Sequence, residues 1–203
     1  MTIAIGVPLR GEYIPVKFWE STRLLAITEP IKVITKIGYN IDLARNLIVE
    51  DALKSNCSHL LFLDDDTIFP EDTLIKLRSH EKDIAAGLYF TRKLPHRPAA
   101  LRMYEKPIDG FMSSPITDYN KGLTECDTVG MGCTLIKMDI FKKMKRPWFE
   151  YHKDYDKKTI IQYAEDDWFC IKAKRLGYKV YVDTDIKCGH LCTKVIDEDY
   201  LKK

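Results

Sequence analysis

An α/β domain, with a mixed and mostly parallel central sheet flanked by helices, is the fold class that this 203-residue sequence predicts. Three observations carry the prediction. Short apolar or β-branched runs alternate with stretches of helical period through the first half, the pattern of βαβ units wound right-handedly. Strand-like runs crowd together in the second half, which suggests antiparallel additions to the same sheet. Hydrophobic residues make up 45% of the chain, enough for one substantial core and, at this length, too little for two full domains.

Each element follows from local signals. "TIAIGVPL" is an apolar strand ended by Pro8, and "IPVKFWESTRLLAI" then places Val16, Trp19, Leu24 and Ile27 on one expected helical face. "IKVITKIG" is a second, β-branched strand. Asn40 is expected to cap the helix "IDLARNLIVEDALKS", in which Ile41, Ala44, Ile48 and Ala52 recur at helical spacing. "HLLFL" is the third strand. Pro70, Glu71 and Asp72 suit a first helical turn leading into "TLIKLRSH", since proline is preset for that position and acids complement the helix dipole.

"DIAAGLYFTRK" and "RPAALRMYE" predict two more strands, while "IDGFMSSPITDYNKG" is the loosest stretch. "CDTVGMGCTLIKMDIFKKM" reads as strand, glycine-bearing turn and helix. "AEDDWFCIKAKRLG" is a helix with acids in its first turn, Lys174 and Arg175 in its last, and Gly177 as its stop. "YKVYVD" and "IKCGHL" close the sheet. There is no internal repeat and no low-complexity linker.

The totals exclude some functions. Lys and Arg number 32 against 30 Asp and Glu, so no global charge footprint marks a nucleic acid or an anionic membrane as partner. The uncharged run at the start breaks at Arg10, too short for an export signal or a membrane span. Six scattered cysteines in a chain able to build its own core point to free thiols and a reducing, cytoplasmic setting.

The chemistry concentrates in "HLLFLDDDTIFPED". In a βαβ sheet, ligands sit beyond the carboxyl ends of the strands, where residues 64–66 fall. If the strand persists through Asp66, Asp64 and Asp66 share one face and Asp65 takes the other. Two carboxylates about 6–7 Å apart repel by roughly 2–3 kcal/mol at an effective dielectric near 20, a cost that a cation between them would remove. The plain alternative is a solvated turn. Oxygen ligands suit Mg2+, Mn2+ or Ca2+, and Mg2+ commonly joins a few carboxylates to a substrate's phosphates, which brings in a nucleotide diphosphate. No G-x-x-x-x-G-K-S/T loop is present and "GVPLRG" is no dinucleotide fingerprint.

"LLFLDDDTIFPEDTLIKL" after "ARNLIVEDAL", then "VGMGCTLIKMDIF", then "EDDWFCIKAKRLGYKVYVDTDIKCGH", resembles the GT-A fold glycosyltransferases of the family 2-like group, over most of residues 1–192. The resemblance implies a Rossmann-like GT-A domain over residues 1–203, with a nucleotide-sugar-binding half at 1–100 and an acceptor and catalytic half at 101–203. It places Asp64 near the donor's ribose and metal, and Asp66 on a divalent cation bridging the diphosphate. His190 would complete the metal shell, which tilts the expected ion toward Mn2+ over Mg2+. Arg45 or its neighbour Asn46 would lie beside the donor nucleotide, and Pro8 would begin the base pocket. Asp65 and Gly132 are counted with them as donor-binding residues.

Glu165, Asp166 and Asp167 open a helix, where acids are ordinary dipole complements. The resemblance assigns the catalytic base to Asp166, with Glu165 or Asp167 as fallback, for a single displacement with inversion that moves a sugar from a nucleotide donor, UDP by preference, to an acceptor hydroxyl. Gly130, Met131 and Gly132 fit a turn approaching either another strand or the donor sugar. Trp148, in the aromatic segment "PWFEYHKDY", is an acceptor candidate because rings stack on sugar faces, although they also fill cores. Tyr89 and Arg92 are further candidates for that pocket.

Three other readings stand beside this one: a metal-dependent nucleotidyltransferase or phosphohydrolase, a non-catalytic nucleotide-sugar-binding module, and a zinc site on the alternating Cys188, His190 and Cys192, which lacks a fourth ligand. The short stretch after His190 suggests one domain of a longer polypeptide.

Overall fold

The computed structural model describes residues 1–108, 111–117, 122–155 and 160–192. In chain order its elements are β1 (Ile3–Leu9), α1 (Val16–Leu24), β2 (Ile31–Ile37), α2 (Ile41–Lys54), β3 (His59–Leu63), β4 (Thr67–Ile68), α3 (Thr73–Ser79) and β5 (Ile84–Leu88). There follow β6 (Ala100–Ile108), β7 (Phe111–Pro115), β8 (Leu123–Cys126), β9 (Thr128–Val129), β10 (Cys133–Lys137), α4 (Met138–Lys143), β11 (His152–Tyr155), β12 (Ile160–Tyr163), α5 (Glu165–Arg175), β13 (Val180–Lys187) and β14 (Gly189–His190).

The central sheet has the order β2-β1-β3-β10-β5-β13-β8. β2, β1, β3, β5 and β13 run one way, whereas β10 and β8 run against them. The sheet is therefore mixed, with parallel strands in the majority, as the alternation of strand and helix predicts. The chain moves from β1 out to β2 and then back across β1 to β3, so the strand order reverses there. In open α/β sheets such a reversal opens a crevice at the carboxyl ends of the strands.

Side-chain alternation along the strands divides the core into two layers. Ile3, Ile5, Val7, Leu61 and Leu63 point to the side of α1 and α3, where Phe18, Leu74 and Leu77 cover them. Ala4, Leu60 and Phe62 point to the other side, against Ile48 of α2, Phe141 of α4 and Phe169 of α5. Each fully buried Leu, Ile or Phe stabilises the fold by about 1.5–3 kcal/mol. Gly6 sits where α2 presses closest to β1, and a Cβ there would lie 2.5 Å from Ile48 Cγ2.

Several local expectations are corrected. α1 buries Phe18 and Ser21, with Leu25 just beyond its end, and leaves Val16, Trp19, Leu24 and Ile27 exposed, so its inward face is opposite to the one its apolar spacing suggests. Phe18 and Leu25 reach the sheet, and an apolar cavity of about 280 Å³ remains beside them, lined by Ile5, Val7 and Leu63. Asn40 stands at the N-cap of α2 without a side-chain capping hydrogen bond. α3 begins at Thr73, with Asp72 rather than Pro70 at its boundary. Within the stretch expected to be loosest, Phe111–Pro115 forms β7 and pairs with β6, while residues 109–110 and 118–121 lie outside the described residues. Among the described residues no helix is long and apolar enough to cross a membrane.

Candidate active site

The carboxyl ends of the parallel strands converge on one cavity of about 500 Å³. β1 delivers Pro8, Leu9 and Arg10; β2 leads into Tyr39 and Asn40; β3 ends at Asp64, Asp65 and Asp66; β5 leads to Tyr89 and Arg92; His190 follows β13. From the other layer, α2 contributes Arg45 and the start of α5 contributes Glu165 and Asp166. Residues as far apart in sequence as Pro8 and His190 thus share one space because every parallel strand points its end there.

Arg45 is the hub of the cavity floor. It is 2% exposed, and its Nη2 donates to both oxygens of Asp64 at 3.0 and 2.9 Å while Nη1 pairs with Glu165. Burial works against the guanidinium's charge, but Asp64 and Glu165, with Asp166, more than offset this and raise its pKa above the ordinary value. Its Cζ lies 6.0 and 5.9 Å from the ring centres of Phe62 and Phe149, so the charge is held by aromatic packing as well as by carboxylates. Arg45 ties the end of β3 to the start of α5.

β3 stops at Leu63, and Asp64 begins a turn in which the Thr67 N–H donates to the Asp64 carbonyl at 3.0 Å. The strand alternation expected for residues 64–66 therefore does not apply. Asp64 turns to Arg45, while Asp65 and Asp66 both turn to Arg10. The Arg10 backbone N–H donates to Asp65 Oδ2 at 3.2 Å and its Nε lies 3.5 Å from Asp65 Oδ1; its Nη2 pairs with Asp66 Oδ2. Arg92 Nη1 reaches the same Asp66 oxygen at 2.9 Å.

His190 stands on the other side of Asp66, with Nε2 3.5 Å from Oδ1. Its Nδ1 is 2.8 Å from the Phe90 carbonyl, which can only accept, so in the neutral ring Nδ1 carries the proton and Nε2 presents its lone pair. Burial, aided by Arg92 and Arg10, lowers the imidazole's pKa against the opposing pull of the Phe90 contact and Asp64, and so favours that neutral ring. The β14–β4 pairing of His190 with Thr67, and the 2.7 Å bond from the Leu191 N–H to the Asp66 carbonyl, hold the two residues side by side. Asp66 and His190 meet as the sequence suggests, whereas Asp64 is not gathered with them. Among the described residues no group of three or more His, Cys, Asp or Glu is arranged to hold a metal ion, which also removes the zinc reading of Cys188, His190 and Cys192.

The start of α5 is electrostatically the opposite of the end of β3. Burial and the neighbouring Asp167 raise the Asp166 pKa to about 6, with Arg45 offsetting only part of the effect. Glu165 is raised by burial against the pull of Arg45, and Asp167 by burial first. The Asp167 N–H donates to Asp166 Oδ1 at 2.9 Å. A carboxylate that takes up a proton near pH 6 at a cavity wall is suited to general-base work.

Tyr89 is buried, with its hydroxyl accepting from the Gly132 N–H at 3.2 Å and its ring edge-on to His190 at 5.4 Å. Burial first, then Asp64 and Asp166, raise its pKa well above the ordinary value, so it stays a neutral phenol. Gly132 braces the floor from behind: its carbonyl accepts the Asp64 N–H at 3.0 Å, and a Cβ on it would lie 2.7 Å from Thr67 Oγ1. Gly130 leaves room for the Tyr89 hydroxyl in the same way. Both glycines serve close approach between elements, the first of the two readings their turn allows.

Trp148 is corrected outright. It lies in the core, 4% exposed, with its indole N–H donating to the Phe141 carbonyl at 2.9 Å and its backbone N–H to Asn46 Oδ1 at 2.9 Å. Its neighbour Phe149 is also buried, and from that aromatic segment Tyr151 is the ring that lines the cavity. The side chain of Tyr155 lies outside the described residues. Sequence reasoning missed Arg10, Tyr39, Asn40 and Tyr151. The signal for Arg10 is its place directly after the first strand, where the βαβ pattern already points to a ligand crevice.

No family model matches the chain, and no curated protein sequence matches it. Solved structures do. The fold is that of the GT-A glycosyltransferases, as its similarity to two such enzymes makes plain: GalNAc-T7, solved with UDP, GalNAc and Mn2+, at a TM-score of 0.60 and 13% identity, and residues 1–349 of S. aureus TarS, solved with UDP-GlcNAc, at 0.53 and 13%. A197 from STIV is similar at a TM-score of 0.61 and 19% identity. These alignments cover 95%, 96% and 95% of this chain respectively. The chain spans 86% of A197 but only 44% of the GalNAc-T7 chain and 60% of the TarS chain.

Proposed function

We propose that the chain is a metal-dependent glycosyltransferase of the family 2-like group, moving a sugar from a nucleoside diphosphate donor, UDP-sugar by preference, to an acceptor hydroxyl with inversion. One observation carries the reading: Asp66 and His190 meet at the mouth of the cavity whose wall holds Asp166, a carboxylate with a pKa raised to about 6.

The residues present fit a divalent cation completed by substrate. Asp66 Oδ1 and the lone pair of His190 Nε2 are a hard oxygen donor and an imidazole donor of the kind Mn2+ accepts, and Mg2+ less typically. Two protein ligands plus diphosphate oxygens is the usual composition of such a site. When bound, the cation supplies charge neutralisation on the departing diphosphate.

The chain's own residues do the rest. Pro8, Leu9, Tyr39 and Asn40 form the end of the cavity suited to a nucleotide base, with the Tyr39 ring available for stacking. Arg45, held by Asp64 and Glu165, keeps the donor pocket rigid, and Asp65 fixes the Arg10 backbone beside it. Gly132 supports this side through Asp64. Asp166 accepts the acceptor's hydroxyl proton, Oδ1 being steadied by the Asp167 N–H, while burial and the Asp167 carboxylate keep its pKa raised; Glu165 and Asp167 are the alternative bases. Tyr89, Arg92 and Tyr151 border the space left for sugar and acceptor. Residues 1–100 thus serve mainly the donor, and residues 101–203 the base and acceptor. The six cysteines, all free and five of them buried, support a reducing cytoplasmic setting.

A panel of nucleotide sugars titrated calorimetrically with and without Mn2+, followed by product analysis, tests the reading. The expected result is UDP-sugar binding about tenfold or more tighter with Mn2+ and transfer of an intact sugar. Equal binding in excess chelator, or release of phosphate in place of sugar transfer, would overturn it in favour of a plain binding module or a phosphohydrolase.

A further inference from the structure

Asp66 carries more positive charge than a resting metal ligand needs. Oδ2 receives both Arg92 Nη1, at 2.9 Å, and Arg10 Nη2, while Oδ1 faces His190 Nε2 at 3.5 Å. The carboxylate itself is fixed: its side chain is 11% exposed, and its backbone carbonyl is bonded to the Leu191 N–H. The two arginines are not fixed in the same way, with side chains 62% and 43% exposed. Arg45, by contrast, is buried between two carboxylates and is committed to the fold. The cavity therefore has two kinds of cation, one structural and two able to move.

We infer that Arg10 and Arg92 are a diphosphate-operated latch on Asp66. Paired with Asp66 they neutralise it and repel a divalent cation from the Asp66 and His190 pair. When a nucleoside diphosphate enters, the guanidinium groups transfer to its oxygens, for which their forked geometry is suited, and Asp66 is released to the cation. Metal and nucleotide then bind in a coupled way, each strengthening the other by the same factor. The inference rests on the functional reading above and adds to it the order of events and the residues that set it.

The test is Mn2+ binding, read by the electron paramagnetic resonance of free Mn2+, for the wild type, Arg10→Gln/Arg92→Gln and Arg10→Lys/Arg92→Lys, with and without saturating UDP. Without UDP, the double Gln variant is expected to bind Mn2+ about tenfold tighter than the wild type, and the tightening of Mn2+ by UDP should shrink by about the same factor. The double Lys variant, which retains the charge, should stay within about threefold of the wild type, which separates the latch from a general disturbance of the loop. If UDP tightens Mn2+ binding in the wild type but the double Gln variant gains no affinity for Mn2+ alone, the latch is wrong and the functional reading survives. If the wild type binds Mn2+ no better with UDP than without, both fall.

Discussion

Two acidic runs face each other across the cavity, and each places three carboxylates within three residues. At residues 64–66 every carboxylate has an arginine: Arg45 on Asp64, Arg10 on Asp65, Arg10 and Arg92 on Asp66. At residues 165–167 Arg45 reaches Glu165, and burial leaves all three carboxyl groups with raised pKa values. The same residue type is thus prepared for opposite work by its counter-charges. The carboxylates of the first run are held by arginines and open to a cation only when those arginines leave, whereas Asp166, with too little counter-charge, exchanges a proton near pH 6.

The largest effect that would break this contrast is chemical. Asp166→Asn removes the proton acceptor without removing volume or the helix start, so transfer should fall about 10²–10⁴-fold while UDP-sugar affinity stays within about threefold. Equal loss of binding and transfer would mean that α5 belongs to the donor site. Next comes the residue shared by both runs. Arg45→Met strands Asp64 and Glu165 at the cavity floor and should cost about 3–5 kcal/mol in urea unfolding at pH 8.

The smallest effect tests the electrostatics alone. Because the Asp166 pKa is higher in the folded chain, about 6, than its ordinary 3.8, ionised Asp166 opposes folding. That penalty is absent below about pH 4, grows as pH rises through about 6, and is complete above it. Asp166→Asn should therefore be more stable than the wild type by about 2–3 kcal/mol at pH 8, and the gap should close toward pH 4. A gap independent of pH would show that Asp166 is not held at a raised pKa.

Much of this arrangement is legible in the residues. A carboxylate run behind "HLLFL", an acidic helix start, a glycine-histidine at the end of the last long strand and an arginine early in α2 all stand at positions where βαβ topology collects ligand groups. The pairings are not legible. Arg45 meets Glu165 across 120 residues and Arg10 meets Asp66 across 56, and no local pattern encodes which cation serves which anion. Trp148 shows a second limit. An aromatic ring has the same composition whether it faces a sugar or a core, and only the position of Asn46 and the Phe141 carbonyl decides that it turns inward. The inverted face of α1 is a third case: Phe18 and Leu25 turn inward while Val16, Trp19, Leu24 and Ile27 face out, so apolar spacing alone is a weak guide.

The reversed direction of β10 between β3 and β5 sets which part of the pocket is rigid. A strand running with its neighbours would bring a loop of variable length to this end of the sheet; this one brings its entrance, and the paired glycines there lock main chain against the Asp64 backbone and the Tyr89 hydroxyl. The base of the pocket is thereby held in shape, and side chains on its outer margin, such as Tyr39 and Tyr151, are the ones that can change without disturbing the sheet.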